Sequence, residues 1–423
     1  MYRVVFHIDH KHRDLPSMAL IAFFLGKRGF KTYFCSSLNH NIINNINPDF
    51  IIMSKFRNAL NNIQHWIKSD CKIIIIQSEG NLQAKENKYV SERDKYLFQN
   101  TYTPDLTIFW NYKEMHKYSI FMDKNKQKIF IGCPRLDFLK PKFMNLYPSK
   151  EKILKNLNLD KSKFTITLAT SIGLSHANKK ILKSYFDGYK GDQRKIIDLS
   201  FNIKNQKKLR ITTEKIIRFV AKNKDLQLII KPHPNESIIH WESYIKKFNN
   251  IKLCYAESIN YLLRSSDFHL AHNACTTSLE AQLLNIPCAQ ILSDDSYSYF
   301  KKDHIDIAYF KIKSVKDFET AIYSYQNKTK SDLIKFSNKY VKKYFTKFNG
   351  NICKEHSNYL IKFMKRYKPK NKKLIDPYIF FKIFFRLKNL TNKSNIDQRG
   401  RVDNRIIPGD ENYWFNKFTK MFI

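Results

Sequence analysis

Short runs of β-branched and aromatic residues alternate with helix-length segments along most of the chain. Residues 2–9, 30–36, 49–53, 72–77, 105–110 and 128–132 read as strands, with helices over about 15–28 and 56–68. Strands separated in this way build βαβ units around a parallel sheet. Ile73, Ile74, Ile75 and Ile76 show no alternation, the pattern of a strand covered on both faces. The turn Gln77-Ser78-Glu79-Gly80 follows, at the carboxyl end where open α/β sheets place their ligands.

The alternation restarts at 164–169. It continues with a helix over about 207–222, strand 226–231, helix 238–247, strand 251–255, helix 258–265, strand 267–271, helix 276–284 and strand 287–291. The chain is therefore expected to be an α/β protein of two Rossmann-like domains, 1–145 and 160–312, joined by a Lys-, Asn- and Pro-containing connection over 141–163. The insertion 174–206 has weak periodicity and is a candidate loop over the site. Beyond 313 the pattern turns helical (315–326, 329–345, 351–366), so 313–370 is expected to form C-terminal helices, and 371–423 is a basic, aromatic tail. Within the tail, Lys382 and Arg386 lie four apart among Phe and Ile. That spacing suits either a helix in an anionic membrane interface or one packed on another helix or domain. The last thirty or so residues give no clear reading.

A length of 423 residues with 43% hydrophobic and 14% aromatic residues supports two cores. The seven cysteines are scattered and without a C-x-x-C pair, which argues against a disulfide framework and a structural zinc site. With a strand-like stretch at 2–9 and no apolar run long enough to span a bilayer, a cytoplasmic protein is expected. The formal charge of +38 and pI of 9.8 create a field that attracts phosphate-bearing partners. The basic residues are spread along the whole chain without a zinc finger, RNP-like motif or basic zipper, so nucleic acid is not the expected partner.

Two segments carry most of the chemistry. The strand at 226–231 stops at Lys231-Pro232-His233-Pro234, where the prolines hold a rigid turn that aims His233 off the sheet edge. Its imidazole can donate to a phosphate or ribose oxygen, and Lys231 supplies charge. Forty residues on, a strand delivers His272 and Asn273, and Thr276, Thr277 and Ser278 open the next helix. Hydroxyls at a helix N-terminus make a phosphate site. Thr277 and Glu280 also have the spacing of a capping box, which needs no ligand. Cys275 beside them has no base spaced to activate it.

The pair formed by a His-Pro turn and a Ser/Thr-rich helix start resembles GT-B glycosyltransferases of bacterial surface-polysaccharide synthesis, including Kdo-transferase-like and polysialyltransferase-like enzymes. Gly132-Cys-Pro-Arg-Leu-Asp137 is similar to a segment near the domain junction of surface-carbohydrate biosynthesis proteins. The resemblance covers about residues 70–295. It implies a GT-B fold with C-terminal helices crossing back, a nucleotide-sugar donor with CMP-sugars favoured, and a glycan or lipid-linked acceptor at the inner membrane face. It also implies that His233, Pro234, Thr276, Thr277 and Ser278 engage the nucleotide and its phosphates, and that Glu280 holds the ribose. The Gln-x-Asp-x-Gly motif of some Kdo transferases and the Asp-Tyr-Ser-Ser run of glycerophosphotransferases are absent.

An inverting transfer needs a base for the acceptor hydroxyl and positive groups for the leaving phosphate. Glu79 is the first candidate base, and Asp9 or His10 the second, with His7 and His12 nearby. A helix cap at Asp14, with Pro16 just after it, is the competing reading of this cluster. No pair of ligands there suits a metal, and no cofactor is expected. Arg135 and Asp137 either touch substrate or bridge the domains, with a mutual salt bridge the simplest expectation. A GT-B-like nucleotide-sugar epimerase and a non-catalytic basic phosphate- or nucleic-acid-binding protein are the alternatives.

Overall fold

The computed structural model describes residues 1–36, 40–54, 66–77, 104–110, 112–120, 122–176, 199–234, 236–273, 275–296, 305–326, 347–370, 406 and 409–422. The first domain is a parallel sheet in the order β2-β1-β3-β4-β5-β6, formed by Arg3–Ile8 (β1), Lys31–Ser36 (β2), Phe50–Met53 (β3), Lys72–Ile76 (β4), Leu106–Phe109 (β5) and Gln127–Phe130 (β6). The second is parallel in the order β12-β11-β10-β7-β8-β9. Its strands are Phe164–Ala169 (β7), Leu226–Lys231 (β8), Ile251–Leu253 (β9), Phe268–His272 (β10), Cys288–Ile291 (β11) and Phe310–Ile312 (β12). Both orders reverse direction once, between β1 and β3 and between β7 and β10. A doubly wound sheet opens a crevice at the carboxyl ends of the strands flanking such a reversal. The four isoleucines of β4 are all buried, as expected for a strand covered on both faces.

The described helices are Lys11–Gly26 (α1), His40–Ile46 (α2), Tyr112–Ser119 (α3), Lys150–Asn156 (α4), Leu199–Lys222 (α5), Ile238–Ile245 (α6), Ile259–Leu263 (α7), Thr276–Leu283 (α8), Val315–Gln326 (α9), Ile352–Met364 (α10) and Glu411–Phe422 (α11). α1 starts four residues before its predicted beginning, because the cap is His10 and not Asp14. His10 has extended backbone (φ −138°, ψ 117°), and its Nδ1 accepts from the Arg13 N–H at 3.2 Å. The Asp14 carboxylate returns the bond to the His10 N–H at 3.2 Å, the reciprocal arrangement of a capping box displaced by one residue. Pro16 lies inside the helix.

Two further differences concern the connections. The stretch 141–163 is not a bare linker: α4 lies within it and sends Leu154 into a cluster with Ile229, Cys254 and Leu262 of the second domain. After the second sheet the chain returns. Phe318 and Ile322 of α9 still pack on the second core, whereas Ile352, Leu360, Phe363 and Met364 of α10 belong to the first. The final helix, for which the sequence gives no reading, buries Phe418 against Phe23 of α1 and Phe138. Predicted helices at 56–68 and 329–345 and the aromatic–basic stretch at 378–388 lie wholly or mostly outside the described residues. Among the described residues no helix is long and apolar enough to cross a membrane.

Gly132-Cys-Pro-Arg-Leu-Asp137 joins these parts. Gly132 has φ +125°, a conformation that L side chains rarely adopt, and Pro134 opens a 3₁₀ turn over Pro134–Leu139. The expected Arg135–Asp137 salt bridge is not the partnership formed. Asp137 is buried, and it accepts from the first two N–H groups of α10, Ile352 at 3.1 Å and Cys353 at 2.7 Å. The side chain of Asn351, the residue before α10, makes no capping bond, so Asp137 caps the helix from more than two hundred residues away. Losing a charged acceptor from two buried donors costs several times an ordinary hydrogen bond. Asp137→Ala is expected to lower the unfolding free energy by about 3 kcal/mol, and Asp137→Asn by less because one acceptor oxygen remains. Urea titration of the three proteins checks both the size and the order.

Candidate functional site

The carboxyl ends of the two sheets enclose a cavity of about 400 Å³. From the first domain it is lined by His10, His12 and Arg13 at the start of α1, and by Arg135. From the second it is lined by Thr170 and Ser171 after β7, Lys231–Pro234 after β8, Ser258–Asn260 at α7, His272 and Asn273 after β10, and the start of α8.

Of the residues expected in the site, Lys231, His233, Pro234, His272, Asn273, Thr276, Thr277, Glu280, Arg135 and His10 line this cavity. Asp9, Asp137 and Ser278 do not, and Glu79 and Gly80 lie outside the described residues. Asp9 is held by the Arg13 guanidinium at 3.0 Å, and that same guanidinium binds Asp14 at 2.7 Å. Ser278, in the first turn of α8, is fully buried.

The Pro-His-Pro turn is fixed by a residue whose role the sequence did not reveal. The Glu236 N–H donates to the His233 carbonyl at 2.8 Å, closing the turn. Its carboxylate, buried inside, accepts from the Thr170 hydroxyl (2.6 Å), the Ile172 N–H (2.5 Å) and the Trp241 indole N–H (2.9 Å). Burial raises the Glu236 pKa, while these three donors oppose the rise. One side chain thereby joins the ends of β7 and β8, leaving His233 exposed at the cavity. The signal available in sequence was the polar pair Thr170-Ser171 directly after a buried strand, at the reversal point of the sheet. Lys231 is mostly buried, donates to the Tyr255 carbonyl at 2.7 Å, and is pushed down by burial to about 8.

His272 reaches the cavity wall, but both its ring nitrogens are engaged within the domain. Nδ1 accepts from the Ser171 N–H at 2.9 Å, which places the ring proton on Nε2. Nε2 donates to the Thr213 hydroxyl (2.7 Å), which passes a bond to the Leu209 carbonyl (2.7 Å). Burial lowers its pKa to about 3, so the ring is a neutral peg between β10 and α5. Asn273 takes left-handed backbone (φ +51°) and accepts the Ser296 hydroxyl on Oδ1 at 2.7 Å.

α8 begins at Thr276 with Cys275 as its cap, and Cys275 contributes no side-chain capping bond. The Thr277–Glu280 capping box does not form, because Thr277 already lies in the first turn. Its hydroxyl meets His269 Nε2 at 2.9 Å and donates to Cys275 Sγ at 3.2 Å. Glu280 faces across the cleft to Arg135, 3.0 Å away, and both side chains are largely buried. Burial raises the Glu280 pKa, and the Arg135 charge lowers it. The Cys275 thiol is raised by burial, which leaves it a poor nucleophile.

The first-domain wall is neutral. Burial, then the Arg13 charge, bring His10 to about 4; burial and Lys231 bring His12 to about 3. Since His10 Nδ1 accepts from backbone, the neutral ring carries its proton on Nε2, a buried atom without a hydrogen-bond partner among the described residues. In this tautomer the Nε2–H of His10 is free to donate to an oxygen in the cavity. His12, named only as a neighbour from sequence, lines the same wall. Among the described residues no group of three or more His, Cys, Asp or Glu could hold a metal ion.

No family model and no curated protein matches the chain. Solved structures do. The wall teichoic acid polymerase TagF aligns over 86% of this chain and 89% of its own, at 12% identity and TM-score 0.57. The MnaA–UDP co-structure from S. aureus covers 88% of this chain and 100% of that one, at 12% and 0.54. A putative UDP-N-acetylglucosamine 2-epimerase from Listeria monocytogenes covers 88% and 99%, at 12% and 0.53. These structural likenesses show the fold alone: two Rossmann-like domains in the GT-B arrangement.

The buried neutral histidines set an acid limit to stability. In the unfolded chain a histidine titrates near 6.5, whereas folded His272 stays neutral down to about 3. Between those values the unfolded state binds the extra proton. The contribution is intact above 6.5 and is lost at about 1.4 kcal/mol per pH unit as pH falls. His272→Gln is expected to make the stability-against-pH slope shallower by about one proton between pH 4.5 and 6, read by urea denaturation across that range.

Proposed function

We propose that the protein is a nucleotide-sugar-dependent enzyme, an inverting and metal-independent glycosyltransferase that moves a sugar onto a bacterial surface glycan or its lipid-linked precursor. The observation that carries this reading is the convergence of Lys231, the rigid Pro-His-Pro turn and the start of α8 on one cavity, at the reversal point of the second sheet. α8 brings the positive end of its dipole, with Thr276 and Thr277 in its first turn, to where a donor's phosphates would lie. His233 and Lys231 would supply donors and charge from the end of β8, on the other side of β7 from β10, and Glu280 would accept from the ribose hydroxyls. CMP-sugars remain the favoured donors on the resemblance of the motifs.

On the opposite wall, His10 would donate to an acceptor or sugar oxygen. Glu79 remains the proposed base. Gln77, two residues before it, directly follows β4 at the carboxyl edge and is anchored there by the Trp110 indole N–H, which donates to its carbonyl at 2.6 Å. A carboxylate on that turn would take the acceptor proton while the helix dipole and Lys231 stabilise the leaving phosphate. A cytoplasmic protein peripheral to the inner membrane face suits a lipid-linked acceptor. The second reading is an epimerase, favoured by the likeness to MnaA with UDP and to the putative 2-epimerase. An epimerase would rearrange or release the sugar with no acceptor present.

Calorimetry with CMP, CDP, UDP and GDP, without metal and at two salt concentrations, tests the donor site. One nucleotide is expected to bind in a salt-tolerant way, and His233→Ala to weaken it by about tenfold or more. Only salt-sensitive, nucleotide-indifferent binding would support a basic scaffold instead. Affinity should also fall as pH rises through 8, where Lys231 loses its charge, and this dependence should vanish in Lys231→Met. Glu79→Ala is expected to keep nucleotide affinity within about threefold while turnover drops by two orders of magnitude or more; unchanged turnover would remove Glu79 as the base.

A further inference from the structure

We propose that Arg135 is a positioning residue that couples occupancy of the nucleotide site to the first domain. This rests on the nucleotide-binding reading above. Arg135 is anchored in the 3₁₀ turn of the first domain, and it reaches over the cleft to Glu280 on the helix that opens the nucleotide site. Its guanidinium carbon lies 5.2 Å from the centroid of the Trp110 ring. That indole is in turn fixed by the 2.6 Å bond from its N–H to the Gln77 carbonyl at the end of β4. A continuous set of polar contacts thus runs from α8 through Glu280, Arg135 and Trp110 to the strand end of the other domain.

Apolar packing surrounds this set. Trp110, Cys133, Leu136 and Leu139 of the first domain share one buried cluster with Leu279, Leu283 and Ile307 of the second. Leu279 and Leu283 flank Glu280 on α8, so the ion pair is bracketed by apolar contacts that hold its two carriers in register. The pair itself is not saturated: Arg135 Nε is buried without a hydrogen-bond partner among the described residues, and both side chains line the cavity.

A ribose whose hydroxyls donate to Glu280 adds partners to the carboxylate that holds Arg135. A phosphate at the α8 start adds an acceptor for the unused N–H. Either change shifts the guanidinium against the Trp110 face, where a cation–π contact is sensitive to position. Because Trp110 holds the Gln77 carbonyl, the shift is passed to the end of β4. A residue serving only as a structural strut would show no response to ligand.

The protein has four tryptophans, 66, 110, 241 and 414, so the emission of Trp110 is isolated by difference with Trp110→Phe. Titration with CMP, CDP, UDP and GDP, followed by fluorescence and calorimetry on the same samples, tests the proposal. Binding of one nucleotide should change the emission of the wild type, and the change should disappear in Trp110→Phe and in Arg135→Gln. Arg135→Lys keeps the charge without the planar face; it guards against misfolding of the glutamine variant and should bind within about threefold of wild type with a smaller emission change. Donor consumption should fall in Arg135→Lys while its affinity stays within about threefold, and by about tenfold or more in Arg135→Gln, which also leaves Glu280 unpaired. Binding with silent Trp110 emission overturns the coupling and leaves the nucleotide site standing. Weakened binding in both variants, with the emission change intact, makes Arg135 a plain ligand and also overturns it. No nucleotide binding at all removes both the coupling and the functional reading.

Discussion

A guanidinium from one domain and a carboxylate from the other meet at 3.0 Å in a largely buried setting, and the shape of the cleft depends on that contact. Removing either partner would strand a charge away from water, which costs far more than the pair contributes when intact. The alternative of swinging the domains apart would expose the shared cluster of Trp110, Leu136, Leu139, Leu279 and Leu283. Two unfavourable routes therefore confine the domains to a narrow range of mutual positions. Within that range the start of α8 faces the start of α1.

The two walls of the cleft differ in electrostatic character. On the first-domain side, Arg13 is neutralised by Asp9 and Asp14, and His10 and His12 are uncharged. On the second-domain side, Lys231 and a helix N-terminus face the same space. A ligand with one anionic and one hydroxyl-rich end has a preferred direction in such a field. The formal charge of +38 has no part in this local asymmetry. It sets the long-range attraction for anions, whereas a few buried groups decide which wall an anion meets.

Much of the architecture was legible because parallel sheets are built from strands with a distinctive composition. The isoleucine run of β4 and the two β-rich alternations fixed two βαβ domains. Lys231, His233 and Thr276 were readable because prolines and hydroxyls at strand and helix ends have few packing reasons to be there. What sequence could not show was partnership. His272 looks like a ligand, yet its nitrogens are consumed by Ser171 and Thr213, residues 101 and 59 positions away. Asp137 looks like a partner for nearby Arg135, but three-dimensional proximity gave it the N–H groups of α10. His10 illustrates a subtler limit, since only the backbone bond to Nδ1 decides which ring nitrogen holds the proton.

The return of α10 and α11 to the first domain has a consequence for the order of assembly. Among the described residues the second core draws on a continuous stretch, from Phe164 to Ile322, so these parts are present once that stretch has left the ribosome. The first core includes Ile352, Phe363, Ile406 and Phe418, so its opening strands are made long before the residues that cover them. For most of synthesis α1 has an apolar flank, including Phe23, with no partner yet made. Of the two domains, the one translated earlier is thus the one completed later, and the apolar flank of α1 stays uncovered in the meantime.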